Sequence, residues 1–155
     1  MKNYKYLFSI LFLLGSFLVF GQRYKCLLQL SNYKGEGAYI VVSLVDKNGK
    51  YEKTLAILGQ DKKWYDTLKE WNKSQKAKKE SLNGITSASV GGGERKMLAL
   101  NLPDEYLDKG YTIRFETAVE NQKYYATDAV IPFNSVNDTE KYEGKGYIRY
   151  VRLTK

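Results

Sequence analysis

The residues best suited to chemistry lie in one short hydroxyl-rich segment, Asn83–Gly93 (NGITSASVGGG). It carries the hydroxyls of Thr86, Ser87 and Ser89 among four glycines. Glycine allows close backbone approach, and a hydroxyl can accept a transferred group. The same composition also fits a plain, flexible surface loop between a helix and a strand. The glycine run lacks the Lys-Ser/Thr ending of a P-loop, which argues against nucleotide binding of that kind.

The composition excludes several classes of catalytic site. The chain contains no histidine, which rules out Ser-His-Asp and Cys-His pairs, histidine-ligated metals and histidine-ligated haem. Cys26 is the only cysteine, so no intrachain disulfide forms and no disulfide-linked partner is expected. Because Cys26 shares one face of a predicted strand with Tyr24, Leu28 and Leu30, we expect a buried, inert thiol.

The charge balance is basic, with 25 Lys and Arg against 17 Asp and Glu. Such an excess can attract polyanions. The lysines are spread along the chain, however, with one dense cluster at Lys73, Lys76, Lys78 and Lys79. Together with the predicted export, this distribution argues against a nucleic-acid partner.

The first 21 residues have the layout of a secretory signal peptide. Lys2 and Lys5 precede the apolar run Leu7–Phe20, which is shorter than the about 20 residues of a membrane span. Cleavage is predicted between Gly21 and Gln22, and retention as an uncleaved anchor is the alternative. Residues 22–155 then form a single domain, which is exported to the periplasm or the extracellular space.

Period-two alternation dominates the rest of the chain and predicts about seven strands at roughly ten-residue spacing. Except for Ser43, Ala38–Val45 is apolar on both faces, and it is predicted as a central, doubly covered strand, followed by an Asn48-Gly49 hairpin turn. The pattern predicts a mainly β fold, an immunoglobulin-like antiparallel β-sandwich with one inserted α-helix. The predicted strands are 23–30, 38–45, 51–58, 96–102, 111–116, 124–131 and 146–153.

One segment, 61–79, lacks this alternation and is predicted to be the helix. Asp61 is a suitable N-cap, and Trp64, Leu68 and Trp71 stand at the spacing of one helical face. Docking of this aromatic face on the sheets is one interpretation. The alternative is that Trp64 or Trp71 stacks on a planar ligand such as an isoalloxazine ring.

From about Gly37 to Arg152 the chain resembles a family of predicted periplasmic proteins, the domain-of-unknown-function family twenty-two seventy-one. The resemblance implies an exported, immunoglobulin-like domain with no established catalytic activity. It also implies partners, because similar proteins occur beside FAD:protein FMN transferases and PepSY-type membrane redox proteins. The matching features are the strand 38–45 with its 46–50 turn, 54–56, 64–68 with Trp71, 84–89, and 109–114 with Glu116 and Ala118.

Within that family, the hydroxyl-rich segment is similar to the acceptor sequence Asp-x-x-Ser/Thr-Gly-Ala-Thr/Ser of covalently flavinylated proteins. By this resemblance Asn83 stands for the aspartate, Thr86 for the first hydroxyl residue and Ser89 for the residue that accepts the FMN phosphate. Asn83 lacks the carboxylate, and Ser87 replaces the glycine. In the implied reaction a separate, metal-dependent enzyme attaches FMN from FAD to the Ser89 hydroxyl and AMP leaves.

Two hypotheses follow. In the first, the domain is an FMN carrier of a flavin-linked extracytosolic redox system, a flavoprotein that passes electrons between a PepSY-type membrane protein and an acceptor. Thr86 and Asn83 would then flank the attachment site, and Trp64 and Trp71 would pack the ring. In the second, the domain is a non-redox binding or structural module that partners a membrane complex. An intrinsic enzyme is the third choice, because no nucleophile–base pair is visible.

Overall fold

The computed structural model describes residues 22–135 and 140–155, so the signal-peptide prediction lies outside the described residues. Strands account for most of the regular structure, and the helices are few and short. The helices are the 3-10 helix η1 (Lys62–Thr67), the α-helix α1 (Lys69–Lys78) and the 3-10 helix η2 (Asp104–Tyr106). The strands are β1 (Gln22–Leu30), β2 (Tyr39–Val45), β3 (Tyr51–Leu58), β4 (Thr86–Ser87), β5 (Arg95–Leu102), β6 (Thr112–Ala118), β7 (Tyr125–Pro132), β8 (Tyr142–Glu143) and β9 (Ile148–Thr154).

The strands form two sheets, which confirms the predicted mainly β fold. One sheet has the order β5-β1-β9-β8 and the other the order β4-β3-β2-β6-β7. Neighbouring strands are antiparallel except for the short pairing of β4 with β3, which is parallel. All seven predicted strands are present with ends shifted by a few residues, and β4 and β8 are additional two-residue strands.

The strand order does not confirm the immunoglobulin-like classification. When the seven long strands are lettered in chain order, the described sheets read D-A-G and C-B-E-F. An immunoglobulin constant domain distributes its strands as ABED and CFG. Here the first and last long strands are neighbours, and the β2–β3 hairpin stays within one sheet. Alternation in a sequence predicts strands and their faces, but it does not specify which strands pair.

The inward faces of both sheets share one apolar core. It contains Cys26 and Leu28 of β1, Val42 of β2 and Phe115 of β6, all without solvent exposure. The predicted burial of the Cys26 thiol is confirmed, and burial raises its pKa to about 12. The opposite face of β2 is also covered, because Val41 packs in a second apolar cluster beneath α1. The prediction of a doubly covered strand is therefore confirmed.

The predicted hairpin between β2 and β3 is confirmed. Gly49 has a φ of +78°, the left-handed conformation that glycine tolerates. The Asp46 carboxylate accepts the backbone N–H groups of Asn48 and Lys50, each at 2.8 Å. The Asp46 side chain therefore stabilises the turn.

The prediction of one continuous helix over 61–79 is wrong. Asp61 does cap the first turn, because its carboxylate accepts the N–H of Lys63 at 3.1 Å. The helix is interrupted at Leu68, whose ψ of 72° is not helical, and it resumes as α1. The interruption changes the helical phase, so that Leu68 and Trp71 are fully buried whereas Trp64 is only half-buried. Trp64 therefore faces a different surface.

Candidate functional site

The segment that carries Ser89 is held by pairing on both sides. Thr86 and Ser87 pair with the end of β3. Val90 forms an antiparallel bridge with Ala38, in which Ala38 N–H donates to Val90 O at 2.7 Å and the return bond is 3.1 Å. Only Ala88 and Ser89 lie between these pairings, so the segment passes around the end of β3. Backbone groups on both sides of Ala88 and Ser89 are therefore paired.

The Ser89 hydroxyl is half-buried and has no hydrogen-bond partner among the residues that the structure describes. Its nearest neighbour on one side is Gly37. A methyl group added to Gly37 would lie 2.6 Å from the Ser89 Oγ, well inside van der Waals contact. Gly37 therefore leaves the space that the hydroxyl occupies.

Ser89 and Trp64 line the same cavity, although 24 intervening residues separate them in the sequence. The cavity has a volume of about 170 Å³. Its wall combines aromatic rings, small residues and two carboxylates, and the full set is Glu36, Gly37, Tyr39, Trp64, Thr67, Ser89, Ala118 and Glu120. Two of the five predicted flavin-site residues thus meet at one site.

Local interactions of η1 fix the position of Trp64. The Thr67 hydroxyl donates to the Trp64 carbonyl at 2.6 Å. The Lys63 Nζ lies 5.3 Å from the centre of the Trp64 ring and 2.9 Å from the Asp61 carboxylate. This ion pair raises the pKa of Lys63 and lowers the pKa of Asp61, because each charge favours the other. These noncovalent contacts stabilise the turn of η1 that carries Trp64 on the cavity wall.

Two carboxylates, those of Glu36 and Glu120, line the cavity, and the Lys63 ammonium lies over the Trp64 ring and interacts with the charge of Glu120. Among the described residues, no arginine or lysine lines the cavity itself. The two carboxylates favour a cation and oppose a free phosphate group, and the Lys63 charge offsets part of this effect. Aromatic faces such as those of Trp64 and Tyr39 also attract cations and stack on planar rings.

Trp71 lies elsewhere. Its side chain is fully buried, and its indole N–H donates to the Thr54 hydroxyl at 2.8 Å. Its ring meets that of Tyr65 edge to face at 5.2 Å between centroids. Trp71 docks α1 on the five-stranded sheet, the first of the two interpretations of the aromatic face, and has no exposed ring for a ligand in this conformation.

Asn83 and Thr86 do not line the Ser89 cavity either. Asn83 is exposed in the turn before β4. Thr86 donates to the Leu82 carbonyl at 3.1 Å and lines a separate groove between β4 and β5.

The lysine cluster is also apart from the cavity. Lys78 reaches the Glu52 carbonyl, and Lys73 and Lys76 are exposed.

The sequence analysis missed Glu36, Tyr39 and Glu120. Glu36 precedes the predicted strand 38–45, Tyr39 is its second residue, and Glu120 follows β6. Each looks like an ordinary turn or strand-end residue. The only signal was indirect: Gly37 is a small residue immediately before a largely apolar strand.

A family of known sequences matches this chain over residues 21–150 and is described as "Predicted periplasmic protein (DUF2271)". The match covers most of the chain, so the protein belongs to this family. Its description agrees with the predicted exported, periplasmic location. No curated protein and no solved structure matches the chain. None of the helices among residues 22–135 and 140–155 combines the length and apolar character that crossing a membrane requires.

Proposed function

We propose that this exported DUF2271 protein is an FMN carrier that holds the flavin covalently through Ser89, with one edge of the ring against Trp64. The observation that carries the proposal is the shared cavity: an unpaired hydroxyl and a half-buried indole lie on the wall of one cleft. The resemblance of the segment 83–89 to a flavinylation acceptor supports the same residue.

The residues present fit a partly covered flavin. A cavity of about 170 Å³ is smaller than the 300–1,000 Å³ pockets that enclose whole ligands. It therefore accommodates part of the cofactor and leaves the rest in solvent. This suits a carrier, since an exposed ring edge can approach an electron donor or acceptor. Ser89 lines this cavity, so a phosphoester on its hydroxyl would begin at the cavity wall.

The carboxylates of Glu36 and Glu120 offer a physical reason why the flavin would be attached covalently. They oppose the charge of a flavin phosphate and would therefore weaken a purely noncovalent hold on FMN. A phosphoester to Ser89 retains the cofactor regardless of that repulsion. Bound FMN would supply one- and two-electron redox chemistry, and the chain would supply the attachment, the ring contact and the negative surroundings.

The proposed partners are of two kinds. An FAD:protein FMN transferase would modify Ser89, and a PepSY-type membrane protein would exchange electrons with the carrier. The pairing of Val90 with Ala38 bears on the first partner, because the acceptor segment must detach locally, or be modified before the sheet closes, to enter an enzyme cleft.

The test is intact-mass spectrometry of protein exported in a host that also makes an FAD:protein FMN transferase. We expect a mass increase of one FMN less one water, absent in Ser89→Ala. Ser87→Ala is the matched control, because Ser87 is an exposed hydroxyl two residues away on β4 and should leave the modification intact. An unmodified wild-type mass beside a modified control substrate would overturn the proposal.

A second candidate function is a binding module without flavin, and the two cavity carboxylates favour it. An aromatic and acidic cleft suits a small cationic group. This function predicts an unmodified protein whose Trp64 fluorescence responds to a quaternary ammonium probe such as tetramethylammonium. Glu36→Gln combined with Glu120→Gln should then abolish the response. A flavinylated wild type that shows no such response would exclude it.

A further inference from the structure

We infer that the outer edge of β5 is a docking surface for an extended, acidic segment of a partner protein, which would add as a further strand. β5 is eight residues long and ends its sheet, and among the described strands only β1 pairs with it. An edge strand presents a row of backbone groups that can pair with another chain. None of the residues that line the Ser89 cavity lies on this surface.

The other edges of the described sheets are covered or short. On β3, Lys78 bonds to the Glu52 carbonyl, Glu80 accepts the Thr54 N–H at 3.1 Å, and the Ile57 N–H donates to Ile85 O at 2.8 Å. Beside β7, the Lys145 N–H donates to the Asp128 carbonyl at 2.8 Å. β8 has only two residues. Proteins commonly protect their edge strands in these ways from pairing with other chains. β5 differs because it is long and has no such cover among the described residues.

A groove runs beside this edge. It has a volume of about 340 Å³ and separates β5 from the β3–β4 edge. Its apolar lining includes Leu55, Ile85, Met97 and Leu98. Met97 is 59% exposed and is the only large apolar side chain so exposed among the described residues. A strand added here would cover Met97 with alternate side chains.

The charges select an acidic occupant. β1 and β5 together carry Arg23, Lys25, Arg95 and Lys96 and no acidic residue. Arg95 and Lys96 begin the edge strand itself. In the register of the sheet, Lys25 lies opposite Ala99 and Arg23 opposite Asn101, so two further cations lie one strand behind the edge. A second copy of this chain would bring the same cations to the interface. An acidic, β-forming segment would instead be complementary.

The experiment uses the mature protein and a synthetic peptide of alternating Glu and Val, about eight residues long to match β5. We expect the peptide to slow amide hydrogen exchange at residues 95–102. A peptide with Lys in place of Glu, and a Glu-Val peptide interrupted by Pro, should not do so. Absence of slowed exchange at 95–102 with the Glu-Val peptide would overturn the inference.

Charge reversal separates this surface from general attraction. Arg95→Glu with Lys96→Glu should raise the Kd of the Glu-Val peptide by about tenfold, because two complementary charges become repulsive. Lys73→Glu with Lys76→Glu makes the same change in net charge on exposed α1 positions and should leave the Kd within about twofold. Equal weakening by both pairs would overturn the inference. Protection at 95–102 that grows with protein concentration in the absence of peptide would also overturn it, in favour of a second copy.

Discussion

The Glu116 carboxylate on β6 accepts the backbone N–H of Trp71 on α1, with its two oxygens at 3.2 and 3.0 Å from the nitrogen. The same carboxylate accepts the Glu70 N–H at 3.1 Å and the Tyr124 hydroxyl at 2.8 Å. The first N–H groups of a helix have no partner within the helix. A buried side chain of the sheet thus completes the start of α1 and fixes where the helix docks.

Replacing Glu116 with alanine should therefore destabilise the protein by about 2–3 kcal/mol, because buried donors on α1 and Tyr124 lose a charged acceptor. Urea unfolding measures this loss. Glu105→Gln, which alters an exposed carboxylate on η2, is the control and should change the free energy of unfolding by about 0.5 kcal/mol or less. Equal stability of both variants would show that the Glu116 contacts contribute nothing net.

The pH dependence of stability should carry the signature of Glu116. Burial raises its pKa above the ordinary value of 4.5, against the opposing effect of hydrogen bonds from Tyr124 and Trp71 and the charge of Arg114. Between the unfolded and folded pKa values the folded state binds more protons, so its stability falls as the pH rises through that interval. We expect wild type to lose stability relative to Glu116→Gln over this range in urea titrations at successive pH values. A relative gain would mean that the folded pKa is lowered.

Gly37 and Ser89 should be energetically coupled. Gly37→Ala places a methyl group 2.6 Å from the Ser89 Oγ and should cost about 1–3 kcal/mol. In a Ser89→Ala background part of this cost should disappear, although the Ser89 Cβ remains 3.1 Å away. Thermal unfolding of the four proteins gives the coupling, expected at about 0.5 kcal/mol or more. Gly84→Ala meets no atom and should be additive with Ser89→Ala.

Asp128→Ala should be among the most destabilising single substitutions, with a loss of at least about 3 kcal/mol. The carboxylate is fully buried and joins β7 to the approach to β9. Thr127→Ala, at the exposed neighbouring position, is the control. Faster amide exchange confined to 145–148 would locate the damage, and an unchanged melting temperature would refute the prediction. The Asp128 donors are Thr117 Oγ1 and the N–H groups of Lys145, Gly146, Tyr147 and Ile148, at 2.7–3.1 Å.

The Cys26 thiol should not react with a thiol reagent such as dithionitrobenzoate in native buffer at about pH 8, because it is fully buried and its pKa is about 12. Labelling should begin only where urea unfolds the protein, with the same midpoint as the loss of circular dichroism. Rapid labelling of the folded protein would show that β1 opens locally.

Alternation of apolar residues was sufficient to predict the seven long strands and the buried face of Cys26, and the Asn48-Gly49 pair predicted the turn. It failed at the helix, because the interruption at Leu68 accompanies contacts with Glu116, 46 residues away from Glu70 in the sequence. Helical spacing placed Trp64 and Trp71 on one face. Long-range hydrogen bonds separated them, and no local pattern encodes such bonds.

The candidate site could be predicted only in part for the same reason. Ser89 and Trp64 were each identified from the sequence, but their common cavity depends on the bridge between Ala38 and Val90 and on the turn of η1. Glu36 and Glu120 contribute negative charge to the cavity, but nothing in their sequence context identified them as site residues. Pairing between distant segments decides which side chains meet, and composition does not reveal it.

The position of β1 between β5 and β9 determines how late in synthesis its sheet can be completed. Cys26 pairs with Leu98 on one side and with Leu153 on the other. The first of the described strands therefore lacks one neighbour until almost the whole chain is available. Contacts of such large sequence separation form slowly. The sheet of order β5-β1-β9-β8 therefore cannot be complete before β9, near the end of the described residues, is available.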